Sequence, residues 1–368
     1  MTPRALDLEL SGFRFPTASD IRRRLVGIPE HHDAKFASQY DETTLFYDCF
    51  LDSEAREVLL LGPPLLNFKK YVKQIEFEID GCPVGIKEIR KRSRCSIVAL
   101  HAEAGQVLTL KHALFGGTLP IGRSYVSDFA GTNCLYTISL NNRLEWIADW
   151  LTYYVKSHGA DAVILSDNGS TDYSIQDLQN CLASVPGLRQ TAILRARYPF
   201  GPTAANKSGY AALFLQRSLA ELGRLRFLQK ARAVVNADID ELFYSESGRS
   251  VFDAAVASET GYLRANAQWV YAPNAGSAGF ARHCDHTHIS ASGRPKANRK
   301  WCVVPDGPQQ GRQWLTHFLG SSDDPVDQEM TLWHFRQVST SWKYDRGMSD
   351  ISLEPCLDLQ AEMQRVFR

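Results

Sequence analysis

Several things are missing from this chain of 368 residues, and each absence narrows the reading. No stretch approaches the ~18 consecutive apolar residues that a membrane-spanning helix needs, and MTPRALDLELSGF at the start has no apolar signal core. Net charge is absent too: 41 basic residues balance 41 acidic ones, which argues against a nucleic-acid binder driven by phosphate neutralisation. The eight cysteines form no CxxC pair and sit mostly in apolar, strand-like contexts, so reduced, buried thiols in a cytoplasmic protein are expected. No internal repeat or low-complexity tract is present, and the apolar and charged fractions are those of an ordinary globular protein with a substantial core.

What is present divides by rhythm. A short helix is expected around Ala18 to Val26, capped by Ser19 or Asp20. From Thr44 come strand-like pieces with no helix between them (LFYDCFL, EVLLLG, YVKQIEFEID, CSIVAL, VLTLKHAL), separated by turns such as Gly62-Pro63-Pro64 and Asp80-Gly81. They predict an N-terminal β-rich module over residues 1–132. From Cys134 strands alternate with helices: CLYTISL, a helix over Glu145 to Ser157, ADAVILSD, the helix SIQDLQNCLASV, TAILRAR, a long helix from about Thr203 to Leu222, then ARAVVNAD. Alternation of this kind predicts βαβ units and a sheet whose strand ends share one rim. This α/β domain is expected over 133–348, followed by a C-terminal helix over 349–368.

The stretch ARAVVNADIDELFY carries the most chemistry. An apolar run ending in Asp238-Ile239-Asp240-Glu241 reads as a buried strand whose tip delivers acid to the ligand-binding edge of an open α/β sheet. Three carboxylates within four residues repel one another unless a cation sits among them, which points to a divalent ion and a diphosphate; the alternative is a solvated acidic turn. SDNGSTD, Ser166 to Asp172, ends another strand: Asp167 and Asn168 offer an acceptor and an amide to a base or ribose, while Ser170, Thr171 and Asp172 are helix-capping types. Arg195, Arg197 and Lys207 are candidates to face a diphosphate. Trp269, Tyr271, Trp301 and Trp314 suit a sugar platform or the core equally, and the spacing of His283, Cys284, His286 and His288 matches no common zinc pattern.

The order Thr137-Ile138-Ser139-Leu140-Asn141-Asn142, Leu144-Glu145-Trp146, Tyr153-Tyr154, His158-Gly159-Ala160, SDNGSTD, Asp238-Ile239-Asp240-Glu241-Leu242-Phe243 and Trp333-His334-Phe335 with Ser339 and Lys343 resembles GT-A glycosyltransferases, most closely the family 2-like and family 92 group. The resemblance implies a nucleotide-sugar-binding, Rossmann-like mixed sheet as the catalytic domain. By position it implies that Asp167 and Asn168 hold the base or ribose, that Asp238 and Asp240 manage the sugar nucleotide and its metal, and that His334 is a further ligand. Where that group usually has a Lys-Asn-Glu run this chain has Leu140-Asn141-Asn142-Arg143; Asn141 and Arg143 are the nucleotide-contact candidates there, with Lys207 beyond them.

Mn²⁺ or Mg²⁺ on these ligands would neutralise charge on a departing diphosphate. A general base is needed opposite the leaving group, and Glu241, Asp323, Asp324 and Asp327 all remain candidates; Asp240, Glu241 and Asp324 form the catalytic set. The expected reaction is transfer of a sugar, with inversion, from a UDP-type donor to a saccharide or lipid-linked glycan acceptor, with membrane contact only through that acceptor. The rival reading is a non-catalytic glycan-binding protein on a degenerate scaffold. A dinucleotide oxidoreductase is disfavoured because no GxGxxG turn follows the first strand.

Overall fold

In a computed structural model, residues 4–27, 30, 32–202, 211–273, 279–292, 296–320, 326–338 and 351–368 are described. The chain forms two compact units. One comprises Met1–Leu8, Phe129–Leu194 and Lys230–Arg368; the other comprises Glu9–Asp128 and Arg195–Gln229. The division departs from the expected 1–132, 133–348 and 349–368: the segment from Arg195 to Gln229 goes with the β-rich unit, and the C-terminal helix belongs to the α/β unit.

The β-rich unit is built on two antiparallel four-stranded sheets. One contains Asp48–Asp52, Glu57–Gly62, Cys95–Leu100 and Ile86–Arg92; the other contains Phe115–Pro120, Val107–His112, Glu76–Ile79 and Cys82–Val84. Glu57–Gly62 and Cys95–Leu100 are buried along their whole length and supply the core with Phe15, Phe46 and Phe68. No helix forms over residues 18–26: Arg23 there is buried, its guanidinium bonded to Thr44 O and lying 4.6 Å from the Phe68 ring centre. A tertiary contact of that kind overrides a weak local helix signal.

The α/β unit carries a nine-stranded mixed sheet. Its strands are β1 (Arg4–Glu9), β2 (Asn133–Ser139), β3 (Ala162–Asp167), β4 (Gln190–Arg195), β5 (Ala233–Asn236), β6 (Glu241–Ser245), β7 (Tyr262–Val270), β8 (Lys296–Val303) and β9 (Asp327–Phe335), in spatial order β1-β4-β3-β2-β5-β8-β7-β9-β6. β2 pairs in parallel with both β3 and β5, whereas β8 runs antiparallel between β5 and β7. The helices are α1 (Leu144–His158), α2 (Ile175–Ala183), α3 (Val251–Ala257) and α4 (Leu357–Phe367). Trp146, Trp150, Tyr153 and Tyr154 of α1 are buried, and the helix ends at Gly159 in a left-handed conformation, φ +69°, that glycine adopts without strain. The long helix expected from Thr203 is seen as Phe214–Gly223, part of the β-rich unit; residues 203–210 lie outside the described ones. No described helix is long and apolar enough to cross a membrane.

One topological fact positions the site. The chain leaves β2 for β3 and β4 on one side, then returns to β5 on the other, so the carboxyl ends of β2 and β5 flank a switch point where open α/β sheets form a crevice. Asp167 ends β3 opposite Ser139 of β2, and Asp238 lies two residues beyond the end of β5, so both occupy that edge.

Candidate functional site

Strand register brings the acidic tip and the histidine together. Glu241 opens β6 and is paired with His334 of β9, which is paired on its other side with Trp269 of β7. Cross-strand partners project to the same face of a sheet, so the three side chains form a row. His334 Nε2 lies 3.0 Å from Asp240 Oδ2 and its Nδ1 lies 4.0 Å from Glu241 Oε1. The ring stacks on the Trp269 indole at 3.8 Å between centres and 18° between planes. Asp240, Glu241 and His334 are all buried, and one ligand atom from each lies within 4.8 Å of the others. Ligands at right angles on an ion bound at about 2.1 Å are about 3 Å apart, so the Asp240 to His334 separation suits a shared divalent ion. Two carboxylates and an imidazole are a donor set compatible with Mn²⁺ or Mg²⁺.

Asp238 is not in that group. Its Oδ1 is 2.9 Å from Lys300 Nζ, and the same ammonium is 3.2 Å from Glu241 Oε2. Lys300 is fully buried on β8, opposite Ala265 of β7 and one residue past the pairing of Asn236 with Trp301, which sets it beside the β5 tip. Burial opposes its charge, but the two carboxylates outweigh that and hold its pKa above the ordinary lysine value. Glu241 is pushed up to about 7, first by burial, with Asp238 and Asp240 adding repulsion and Lys300 and His334 opposing it. Sequence reasoning missed Lys300, although a lone lysine opening the apolar run KWCVVP was the signal: an ammonium among buried apolar residues needs carboxylate partners.

Asp167 is buried at the β3 tip. Its Oδ2 accepts from the backbone N–H groups of Gly169 and Ser170 at 3.0 and 3.1 Å, while Oδ1 has no hydrogen-bond donor among the described residues. Gly169 at φ +88° allows the chain to fold back onto it. Asn168 donates its backbone N–H to Ser139 O at 2.9 Å, tying this turn to β2. The capping residue of α2 is Ser174, reciprocally bonded with Asp177, and not Ser170, Thr171 or Asp172.

Asn141 and Arg143, assigned to the nucleotide by the sequence, have other partners. Asn141 Oδ1 accepts the N–H groups of Thr171 and Asp172 at 2.7 and 3.3 Å, so the side chain clamps the β2 loop to the β3 loop. The Arg143 guanidinium lies 4.2 Å from the Phe280 ring centre and 5.8 Å from that of Trp146. Arg195 reaches Glu9 at 3.4 Å. Lys207, Asp323, Asp324, Ser339 and Lys343 lie outside the described residues. Asp327 lies seven residues before His334 on β9, across a register shift, and does not join the triad. Its Oδ1 is occupied by the N–H groups of Glu329 and Met330.

The histidines of the loop after β7 make structural bonds: His283 Nε2 faces Ile239 O at 2.9 Å and His286 Nδ1 faces Arg282 O at 2.9 Å. Arg282 forms a two-pronged pair with Asp149 of α1, anchoring that loop. Trp301 and Trp314 pack edge to face at 5.3 Å, both in the core, so of the four candidate platform aromatics Trp269 alone touches the triad among the described contacts.

No family model and no curated protein matches the chain. Among solved structures it is similar to HddC from Yersinia pseudotuberculosis, with 7% sequence identity and a TM-score of 0.29 over 64% of this chain and 97% of that one.

Proposed function

We propose that the chain is a metal-dependent glycosyltransferase of the GT-A kind, transferring a sugar from a nucleoside-diphosphate donor, a UDP-sugar in the first instance, to a saccharide or lipid-linked glycan acceptor. The observation that carries the reading is the convergence of Asp240 and Glu241 with His334, 94 residues after Asp240, on the same carboxyl edge of the mixed α/β sheet as its switch point. Asp240 and His334, with Glu241, would hold Mn²⁺ or Mg²⁺, which when bound supplies charge neutralisation for the departing diphosphate. Asp167 supports the nucleotide half: an unsatisfied, buried carboxylate oxygen is costly, and a ribose hydroxyl or base N–H is the donor it lacks. Lys300 keeps Asp238 and one oxygen of Glu241 compensated, so a single ion suffices for the remaining negative charge. Glu241, within the triad and paired with Lys300, is assigned to the ion here and not to the general base opposite the leaving group.

The test is thermal-shift and calorimetric titration with UDP, GDP and their sugar conjugates, with and without Mn²⁺. Metal-dependent stabilisation by one base, abolished in Asp240→Asn, is the expected result; equal binding in EDTA would sink the reading. Lys300 also favours a second reading, a glycan-binding scaffold without chemistry, because a built-in ammonium already neutralises part of the acidic tip. That reading expects saccharide binding with no effect of metal.

A further inference from the structure

The other face of β8 carries a second constellation. Arg299 and Trp301 flank Lys300 in sequence, so they project from the face of the sheet opposite to it. Arg264 of β7 is paired with Trp301 and shares their face. Together with Asn266, Asn298, His317 and Phe318 these two arginines line a cleft of about 560 Å³, within the size range of small-molecule sites. Among the described lining residues none is acidic.

The cleft is built. Its third wall is pinned at three successive residues: Trp301 Nε1 donates to Leu315 O at 2.7 Å, Asn236 Nδ2 to Thr316 O at 3.0 Å, and His317 Nδ1 to Arg299 O at 3.0 Å. Arg299 Nε donates to Asn266 Oδ1 at 3.1 Å, which fixes the guanidinium plane while its Nη groups make no other hydrogen bond among the described residues. Arg264 is only 4% exposed and lines the cleft beside Arg299. The planar Arg299 guanidinium matches the oxygens of a phosphate or carboxylate, amides from two asparagines add polar contacts, and Phe318 offers an apolar wall.

We infer that this cleft binds an anionic small molecule, a phosphate- or carboxylate-bearing compound, through Arg299, with Arg264 in the cleft wall. The inference does not depend on the glycosyltransfer reading, and it concerns the opposite face of the sheet from Lys300. The test is calorimetry at fixed ionic strength in EDTA with inorganic phosphate, glucose 6-phosphate, glucuronate and neutral glucose. One-site binding of an anionic sugar, tighter than phosphate and absent for glucose, is expected, and Arg299→Gln, a change at an exposed side chain, should weaken it about tenfold or more. Comparison of the phosphate ester with the carboxylate then distinguishes the two sources of anionic oxygen. The inference is overturned if no anion saturates by about 10 mM, if glucose binds as well as the anions, or if Arg299→Gln binds like the parent.

Discussion

Acids are handled differently in the β-rich unit and at the tip of β5 in the α/β unit. In the β-rich unit each buried one has its own partner: Asp48 meets Arg226 at 2.7 Å, Glu57 takes Lys87 at 3.0 Å and also Arg90, Glu221 takes Arg224 at 2.8 Å, and Asp41 accepts from Tyr47 Oη at 2.7 Å. Even so, burial raises the Asp48 carboxyl above its ordinary value against the pull of Arg226, so that pair gives shape more than stability. Past the tip of β5 two carboxylates, Asp238 and Glu241, share one ammonium, and a third, Asp240, faces a histidine. Matched charge marks structure; surplus charge of one sign, gathered at a strand end, marks a place prepared for a ligand.

The comparison is broken or sharpened most strongly by removing the cation from each region. Arg226→Met and Lys300→Met each strand a buried carboxylate and should cost about 3–5 kcal/mol in denaturant unfolding. Only the second should be rescued by Mn²⁺, because only there do several acids remain to hold the ion. Equal rescue of both variants, or of neither, would erase the distinction. Below that in size comes acid sensitivity. His158 is held down to about 4 by burial, with Nε2 donating to Phe243 O at 2.7 Å and Nδ1 accepting from Val251 N at 3.1 Å. Its folded pKa is below the unfolded value of about 6.5, so the unfolded chain binds the extra proton and stability falls as pH drops from about 6.5 towards 4, by up to about 1.4 kcal/mol per unit from this residue. Urea midpoints that stay flat across that window would contradict it.

Trp269→Ala should free the His334 ring and loosen Mn²⁺ binding about tenfold, while Trp269→Phe retains most of it; calorimetric affinities that do not separate the two variants would show that stacking is idle. The smallest effect is expected at Asn141, which combines φ +55° with two accepted N–H bonds. Asn141→Ala loses both features and should cost about 1–2 kcal/mol, whereas Asn141→Gly keeps the backbone conformation and should cost less; the reverse order in thermal unfolding would refute the clamp.

Much of this was legible along the chain. Alternating apolar and helical periods predicted β2, α1, β3, α2, β4 and β5 within a few residues, since such elements bury their own stripe or strand locally. The carboxylates of Asp238, Asp240 and Glu241 stood out because three like charges in four residues need a compensating cation. Asp167 ended the strand expected of it. By contrast, α3, between Ser250 and Ser258, gave too short an amphipathic pattern to be seen, and β1 pairs with β4 from the far end of the sequence.

The sequence by itself therefore determined the two textures of the chain, the strand ending in acid, and the residue types available for chemistry, because these follow from local periodicity and charge. Only tertiary structure decided which acid would be given to Lys300 and which to His334, that Asn141 would clamp a loop, and that Arg264 and Arg299 would meet in a cleft. Those outcomes depend on strand order and register: a slip of one residue between β8 and β7 or β9 and β6 would send Lys300, Arg299, Arg264, His334 or Glu241 to the other face of the sheet.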